Sequence, residues 1–348
     1  MQTLPFISVI VPVRNEERYV AACLQSILAG DYPHEFMEIL VVDGQSDDRT
    51  AEIVRGICAR HPAVQLLSNP ARVVPHAMNV GIRAARGALI VRIDAHAHYG
   101  PNYLRELVTW MDKLQADNVG GVLEAHPATR AAQAVAVAAI ISHPFGVGAA
   151  PYRMRSADAA AIEVDTVPFG CYRREIFDRI GLFDERFIRN QDDELNGRLK
   201  KAGGRIFLLP HVRINYKARE SLSKLALMLY QYGYFKPLVA MKLGRPATLR
   251  QLAPPAFAAL LLALPVLALW WPIAGWLWLL VVASHVATNL VVTAMLARRT
   301  GWAAAPFLVI GFFLGHFAYG FGYLRGLVSF GLRRHFSKGP ARDIPLSR

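Results

Sequence analysis

Asp94 and His96 stand one residue apart at the end of the apolar run formed by Leu89, Ile90, Val91 and Ile93. A carboxylate and an imidazole so placed are both ligands for a divalent cation, and such a cation stabilises a leaving diphosphate. Two further acidic groups have the spacing for related work. Asp43-Gly44-Gln45-Ser46-Asp47-Asp48 follows a second apolar run, and Gln191-Asp192-Asp193-Glu194 opens a helical pattern. A carboxylate in the last group can take a proton from an attacking hydroxyl. The plainer reading of each is a polar loop, or acids that complement a helix N-terminus.

These groups act together only if one scaffold gathers them. The strand-like runs Phe6 to Val13, Glu38 to Val42, Val64 to Leu67 and Ala88 to Ile93 alternate with helical patterns that include Thr50 to Arg60 and Ala77 to Ala85. That alternation predicts an α/β fold with a doubly wound, mostly parallel sheet. Ligands bind outside the carboxyl ends of strands in such sheets, which is where Arg14 to Glu16, Asp43 to Asp48 and Asp94 to His96 fall. Neither GxGxxG nor GxxxxGK[ST] is present, so the phosphates of a nucleotide would need a metal.

The ordered series Ser8-Val9-Ile10-Val11-Pro12-Val13-Arg14-Asn15-Glu16, Val41-Val42-Asp43-Gly44-Gln45-Ser46-Asp47-Asp48, Asn79-Val80-Gly81-Ile82 and Ile93-Asp94-Ala95-His96 resembles the inverting family 2 glycosyltransferases of the GT-A fold. The resemblance extends from about Phe6 to Ala218. It implies a nucleotide pocket of Pro12, Arg14, Glu16, Asp43, Ser46, Asn79 and Asp94, with Asp43 on the base. It implies a Mn²⁺ or Mg²⁺ ion on Asp94 and His96, and Asp192 as the catalytic base. Gln191, Asp193 and Arg198 would lie on the acceptor side, and Asp193 and Glu194 are rivals of Asp192 within one or two residues. Two departures stand out: Gly44 where a second Asp is frequent, and His96 where an Asp is usual. Val164 to Cys171 resembles the strand that closes on the donor sugar. No Gln-x-x-Arg-Trp follows Asp192, which implies one sugar per encounter rather than processive synthesis.

The chain has 348 residues, 53% of them hydrophobic, and a formal net charge of +13. Between Ala253 and Leu332 the charged side chains are Arg298, Arg299 and Arg325, a membrane composition. The positive excess flanks that region, from Lys217 to Arg250 on one side and Arg333, Arg334, Lys338 and Arg342 on the other, rather than forming a nucleic-acid stripe. Four parts are expected: a catalytic domain over 1–220, interfacial helices over 221–252, a membrane region over 253–332 and a basic tail over 333–348. Pro254 to Trp271 and Gly275 to Leu296 read as spans. Ala303 to Leu332 reads either as a third span or as a glycine-rich re-entrant segment, giving two to four membrane segments in all. Ala131 to Ser142 is too short to cross and reads as a core helix or a lid. His285 and His316 read as an interhelical hydrogen bond or a lipid-phosphate contact. Cys23, Cys58 and Cys171 lack metal spacing and fit a reducing compartment.

The expected activity is metal-dependent, inverting transfer of a hexose from a nucleotide sugar to a lipid-linked saccharide. Its site is the cytoplasmic face of a bacterial inner membrane, in a multi-pass protein that touches membrane lipids and other assembly enzymes. Similarity to succinoglycan-type exopolysaccharide glucosyltransferases implies UDP-glucose, a β-1,3 bond and a polyprenyl-diphosphate acceptor. The rivals are a polyprenyl-phosphate sugar transferase, a nucleotidyltransferase and a non-catalytic nucleotide-binding scaffold.

Overall fold

The computed structural model describes residues 4–148, 150–154, 156–244 and 248–332. Arg245 and the basic tail, with Arg333, Arg334, Lys338 and Arg342, lie outside the described residues. The strands are β1 (Ile7–Val13), β2 (Met37–Asp43), β3 (Val64–Ser68), β4 (Leu89–Arg92), β5 (Ala97–Tyr99), β6 (Asn118–His126), β7 (Ile162–Glu163), β8 (Cys171–Arg173) and β9 (Ile206–Lys217). The helices are α1 (Val20–Leu28), α2 (Thr50–Cys58), α3 (Val74–Ala84), α4 (Tyr103–Lys113), α5 (Ala132–Ile141), α6 (Pro144–Val147), α7 (Pro151–Met154), α8 (Glu175–Ile180), α9 (Gln191–Lys201), α10 (Leu222–Leu243), α11 (Ala253–Leu267), α12 (Pro272–Thr300) and α13 (Ala305–Gly326).

The chain divides into two compact units. One holds the residues up to Glu124 and Pro151–Tyr216, and the other holds Ala125–Ala150 and the chain from Lys217. Ala125–Ala150 thus groups with the C-terminal helices, although it falls inside the stretch expected to be catalytic.

The first unit is built on one sheet of order β3-β2-β1-β4-β8-β6-β9-β5, with β7 on β9. β1 and β2 are almost wholly buried because helices cover both faces of a parallel sheet, which is why they read as unbroken apolar runs. The parallel arrangement holds for β3, β2, β1 and β4. Beyond β4 the pairings with β8, and of β8 with β6, are antiparallel, so the sheet is mixed. Register sets the site. Val13 pairs with Asp43 and Ile10 with Arg92, so the loops after β1, β2 and β4 leave one edge side by side.

One expected strand is corrected. Residues 164–170 form a loop, and β8 begins only at Cys171, because Phe169 adopts a positive φ of 49° that a strand cannot continue through.

In the second unit α10 runs unbroken through Gly233 and Pro237. Gly233 is needed as glycine, since a Cβ there would stand 2.0 Å from the Tyr319 carbonyl oxygen of α13. Among the described residues, three helical stretches are long and apolar enough to cross a membrane: Arg250–Leu267, Pro272–Thr300 and Trp302–Gly331. His285 and His316 do form the interhelical hydrogen bond, Nε2 to Nδ1 at 3.0 Å, and His316 Nε2 meets the Phe145 carbonyl at 2.5 Å. The cysteines are free thiols.

Candidate active site

Arg92, the last residue of β4, holds the centre of the site. Its side chain is 5% exposed and its guanidinium joins two carboxylates from distant parts of the chain. Nη1 donates to Asp192 Oδ1 at 2.5 Å, and Nη2 donates to Asp94 Oδ1 at 3.1 Å. The plane lies over the Phe169 ring at 5.5 Å, and the Arg92 amide donates to the Gly170 carbonyl at 3.0 Å. Burial alone would favour a neutral guanidinium, but Asp192 and Asp94 outweigh it and hold the pKa above its usual value.

Asp192 reaches this cation from the first turn of α9. Asn190, at a φ of 60°, turns the chain so that the helix starts at Gln191, and Asn tolerates that left-handed conformation. Burial pushes the Asp192 carboxyl above the ordinary carboxylate range. Arg92 opposes that shift, and repulsion from Asp94 and Asp193 adds to it. The side chain keeps 23% of its surface exposed, so one face remains open to an incoming hydroxyl. Among the neighbouring acids, Glu194 is fully buried and engaged at both oxygens by Arg198. It is therefore committed to a structural ion pair, while Asp192 is the acid linked to Asp94.

The loops after β1 and β2 form a second hydrogen-bonded group. Asp43 Oδ1 accepts from the Ser46 hydroxyl at 2.5 Å, whose oxygen accepts from the Asn15 amide at 2.9 Å. Asn15 Oδ1 accepts from the Asp47 amide at 2.8 Å, and Arg14 lies 3.8 Å from Asp47. Pro12 pairs with Val42 just before these loops. Pro12, Arg14, Asp43 and Ser46 are thus brought together. Glu16 connects this group to the β4 side: its amide donates to Thr50 Oγ1 at 2.8 Å, and its carboxylate lies 3.3 Å from His96 Nδ1.

Two of the expected residues lie elsewhere. Asn79 is buried in α3 and its carboxamide serves the turn before α9, donating to the Phe183 carbonyl and to Glu185 and accepting from the Phe183 amide. Arg198 caps the end of α8 by donating to the carbonyls of Ile180, Gly181 and Leu182. Both act on the segment that delivers Asp192. Asn79→Ala is expected to cost about 1–3 kcal/mol of stability, the typical cost of unsatisfied buried partners, while leaving nucleotide affinity unchanged. Thermal unfolding and calorimetric titration with UDP check the two halves of that statement.

Arg92 and Phe169 were not singled out from the sequence. The available signal was a charged residue inside an otherwise apolar strand, since an unpaired buried Arg is prohibitively costly and must have acidic partners.

The donor set fits a divalent ion that arrives with a diphosphate. Such an ion takes one or two protein ligands and completes its shell with phosphate oxygens and water. The hydrogen bonds of the Asp94 carboxylate all fall on Oδ1, which leaves Oδ2 for the ion. His96 Nδ1 lies 3.3 Å from the Glu16 carboxylate, and with a proton on that nitrogen Nε2 would present its lone pair to the ion. Among the described residues no three His, Cys, Asp or Glu side chains form a self-sufficient metal cage.

A family model described as "Glycosyl transferase family 2" matches residues 8–181. The dolichyl N-acetyl-α-D-glucosaminyl phosphate 3-β-D-2,3-diacetamido-2,3-dideoxy-β-D-glucuronosyltransferase of Methanococcus voltae is 27% identical over 93% of this chain and 97% of its own length. The succinoglycan biosynthesis protein ExoA of Rhizobium meliloti is 27% identical over 92% of this chain and 95% of its own. Among solved structures, the mannosyltransferase PcManGT of Pyrobaculum calidifontis, in complex with GDP-Man and Mn²⁺, superposes with a TM-score of 0.56 at 22% identity, over 93% of this chain and 88% of that one. That likeness shows a shared GT-A fold. With the family model spanning the strands and loops that carry Asp43 and Asp94, the chain belongs to glycosyl transferase family 2.

Proposed function

We propose that this glycosyltransferase moves a hexose from a nucleotide sugar to a hydroxyl of a lipid-linked saccharide, with inversion, at the cytoplasmic face of a membrane. The finer form of the proposal is glucose from UDP-glucose, joined β-1,3 to a polyprenyl-diphosphate saccharide during exopolysaccharide assembly. The observation that carries it is the Arg92 bridge, which ties a donor-side acid, Asp94, to an acid at a helix start, Asp192. Support for a lipid-linked acceptor comes from the dolichyl phosphate in the name of the Methanococcus relative and from the apolar helices, and support for exopolysaccharide assembly from the succinoglycan in the name of the Rhizobium relative.

In this mechanism the acceptor hydroxyl attacks the anomeric carbon while the bond from that carbon to the diphosphate oxygen breaks. Asp192 takes the hydroxyl proton, and Arg92 holds the Asp192 carboxylate ionised and oriented for that transfer. The Asp43 and Ser46 loop holds the nucleoside, with Pro12 and Arg14 beside it. Bound Mn²⁺ or Mg²⁺ on Asp94 and His96 would supply charge for the leaving diphosphate.

A panel of nucleotide sugars with a defined lipid-linked acceptor tests the proposal. Metal-dependent release of UDP from UDP-glucose is expected, and intact donor with acceptor and Mn²⁺ both present overturns it. A second reading, an acceptor carried on a lipid monophosphate, is favoured by the dolichyl phosphate in the name of the Methanococcus relative, and the same panel with a monophosphate acceptor decides between them.

His96→Ala is expected to weaken Mn²⁺ binding to the UDP-bound protein by about 10- to 100-fold, the scale seen when an imidazole's coordination is disturbed. Electron paramagnetic resonance of the UDP complex reads that affinity without turnover. An unchanged value removes His96 as a ligand.

A further inference from the structure

The path of α13 follows from its contacts with α11 and α12. These two helices form a hairpin that turns at Leu269 to Trp271 between Leu267 and Pro272. Phe257 of α11 stacks on His285 of α12 at 4.5 Å. Phe257 lies thirteen residues before Trp270, and His285 lies thirteen residues after Pro272. At 1.5 Å per residue, both stand about 20 Å from the turn.

The contacts of α13 can be placed on the same scale. The Val309 carbonyl accepts from Asn289 of α12, which lies seventeen residues after Pro272, about 25 Å from the turn. Phe313 touches both Phe257 and His285, and His316 bonds to His285, at about 20 Å. A Cβ on Gly320 would stand 2.2 Å from the Pro254 carbonyl oxygen and 2.8 Å from the Ala258 Cβ. Those two residues of α11 lie about 24 Å and 18 Å from the turn.

From Val309 to Gly320 the helix advances about 16 Å along its own axis. Over that length it stays at nearly one level of the hairpin. A helix running alongside α12 would have brought Gly320 to about 9 Å from the turn, beside Leu264.

The remainder of α13 follows α10. Cβ atoms on Gly322 and Gly326 would stand 2.2 Å from the carbonyl oxygens of Tyr230 and Tyr234 respectively, and Arg325 Nη1 donates to the Tyr230 hydroxyl at 2.6 Å. At the far end Gly331 lies against Met241, close to the end of α10 that leads into α11. The glycines of α13 therefore seat α10 and α11 of the same chain, which accounts for their number. On a face between these two seats, Ile310, Leu314, Phe321 and Val328 are exposed.

We infer that α13 does not cross the bilayer: the chain crosses twice, through α11 and α12, and α13 lies with α10 along a single leaflet at the level where α11 enters it. The partner of the exposed face is the boundary between headgroups and acyl chains of that leaflet. An apolar helix face beside the lysines of α10, Lys224, Lys236 and Lys242, has the composition of an in-plane helix. The end of α13 then returns to the side from which α10 came, so the arginines Arg333 and Arg334 that follow accord with the bias of basic residues toward the cytoplasm. The inference rests on α11 and α12 being membrane spans.

Single-cysteine labelling of the full chain in sealed membrane vesicles tests both. Trp270→Cys, Trp302→Cys and Val328→Cys are each treated with a membrane-impermeant maleimide from either side, with the signal of the unsubstituted chain subtracted. Trp302→Cys and Val328→Cys are expected to react from the same side, and Trp270→Cys from the other. Reaction of Val328→Cys from the Trp270 side overturns the in-plane helix while leaving the spans intact. Reaction of all three from one side overturns the spans themselves. Because a cysteine within the headgroups can react poorly, full-length fusions with green fluorescent protein and alkaline phosphatase at the C-terminus give a second readout. Fluorescence without phosphatase activity supports two crossings, and the reverse overturns them.

Discussion

Asp192→Asn is expected to lower the transfer rate by about 10³-fold, within the range contributed by a positioned general base, and to leave UDP binding intact. The amide keeps the size of the carboxylate and an oxygen to accept from Arg92, but it cannot take a proton from the acceptor hydroxyl. The pH dependence carries the same claim. Asp192 must be ionised to act, and burial raises its pKa, with Arg92 opposing and the repulsion of Asp94 and Asp193 adding to the shift. The rate of the wild-type enzyme should therefore rise with pH along an acid limb placed above the usual carboxylate range, reaching a plateau once Asp192 is deprotonated. Measurement of kcat across that range checks the position of the limb. In Asp192→Asn the residual rate should lack it. A variant retaining the same limb would assign the titration to another group.

The second large effect is expected at Arg92. Arg92→Met removes the cation between Asp94 and Asp192 and leaves two neighbouring carboxylates in a site that is largely closed to water. Breaking one partner out of a buried ion pair costs about 3–5 kcal/mol, because the remaining charge is uncompensated. Thermal unfolding of the variant should show a loss on that scale. Adding Asp192→Asn to Arg92→Met should return part of it, since one uncompensated charge disappears, and the non-additivity is the signature of a coupled pair. Arg92→Lys should not restore turnover fully. An ammonium is a single point of charge and cannot hold two carboxylates in the fixed geometry of a guanidinium fork. Wild-type stability and rate in both variants would mean that neither charge nor geometry at this position matters.

Much of the candidate site on the strand ends was legible in the sequence because its signals are local. Asp43 and Asp94 each end an apolar run abruptly, and the parallel pairing of β1 with β2 and β4 places such ends together. Asp192 was legible as an acid in the first turn of a helix, but that position alone also fits dipole compensation. What separates it from Glu194 is a partner: Arg198 four residues on for Glu194, and Arg92, a hundred residues away, for Asp192. No local pattern encodes the latter pairing. Asn79 shows the converse, a polar residue in a family-like stretch whose hydrogen bonds go to a turn more than a hundred residues on.

The helical part was legible in length and composition and not in direction. Ala303 to Leu332 has the apolarity of a span, and composition does not record at what angle a helix meets its neighbours. That information resides in which backbone each glycine approaches, as Gly320 does with Pro254 and Gly233 with Tyr319. Similarly, α5 is apolar on all sides, which suits a core helix as well as its observed place in the second unit, where Ile140 lies against Gly311.

The proposed mechanism makes Asp192 the base of an inverting displacement on a nucleotide sugar. Its most direct measurement is the anomeric configuration of the product formed by full-length enzyme from UDP-glucose and a lipid-linked saccharide, determined by NMR beside the same reaction with Asp192→Asn. A β-linked glucosyl product is expected from the wild type, with loss of that product by about 10³-fold in the variant. An α-linked product, or full activity in Asp192→Asn, would contradict it.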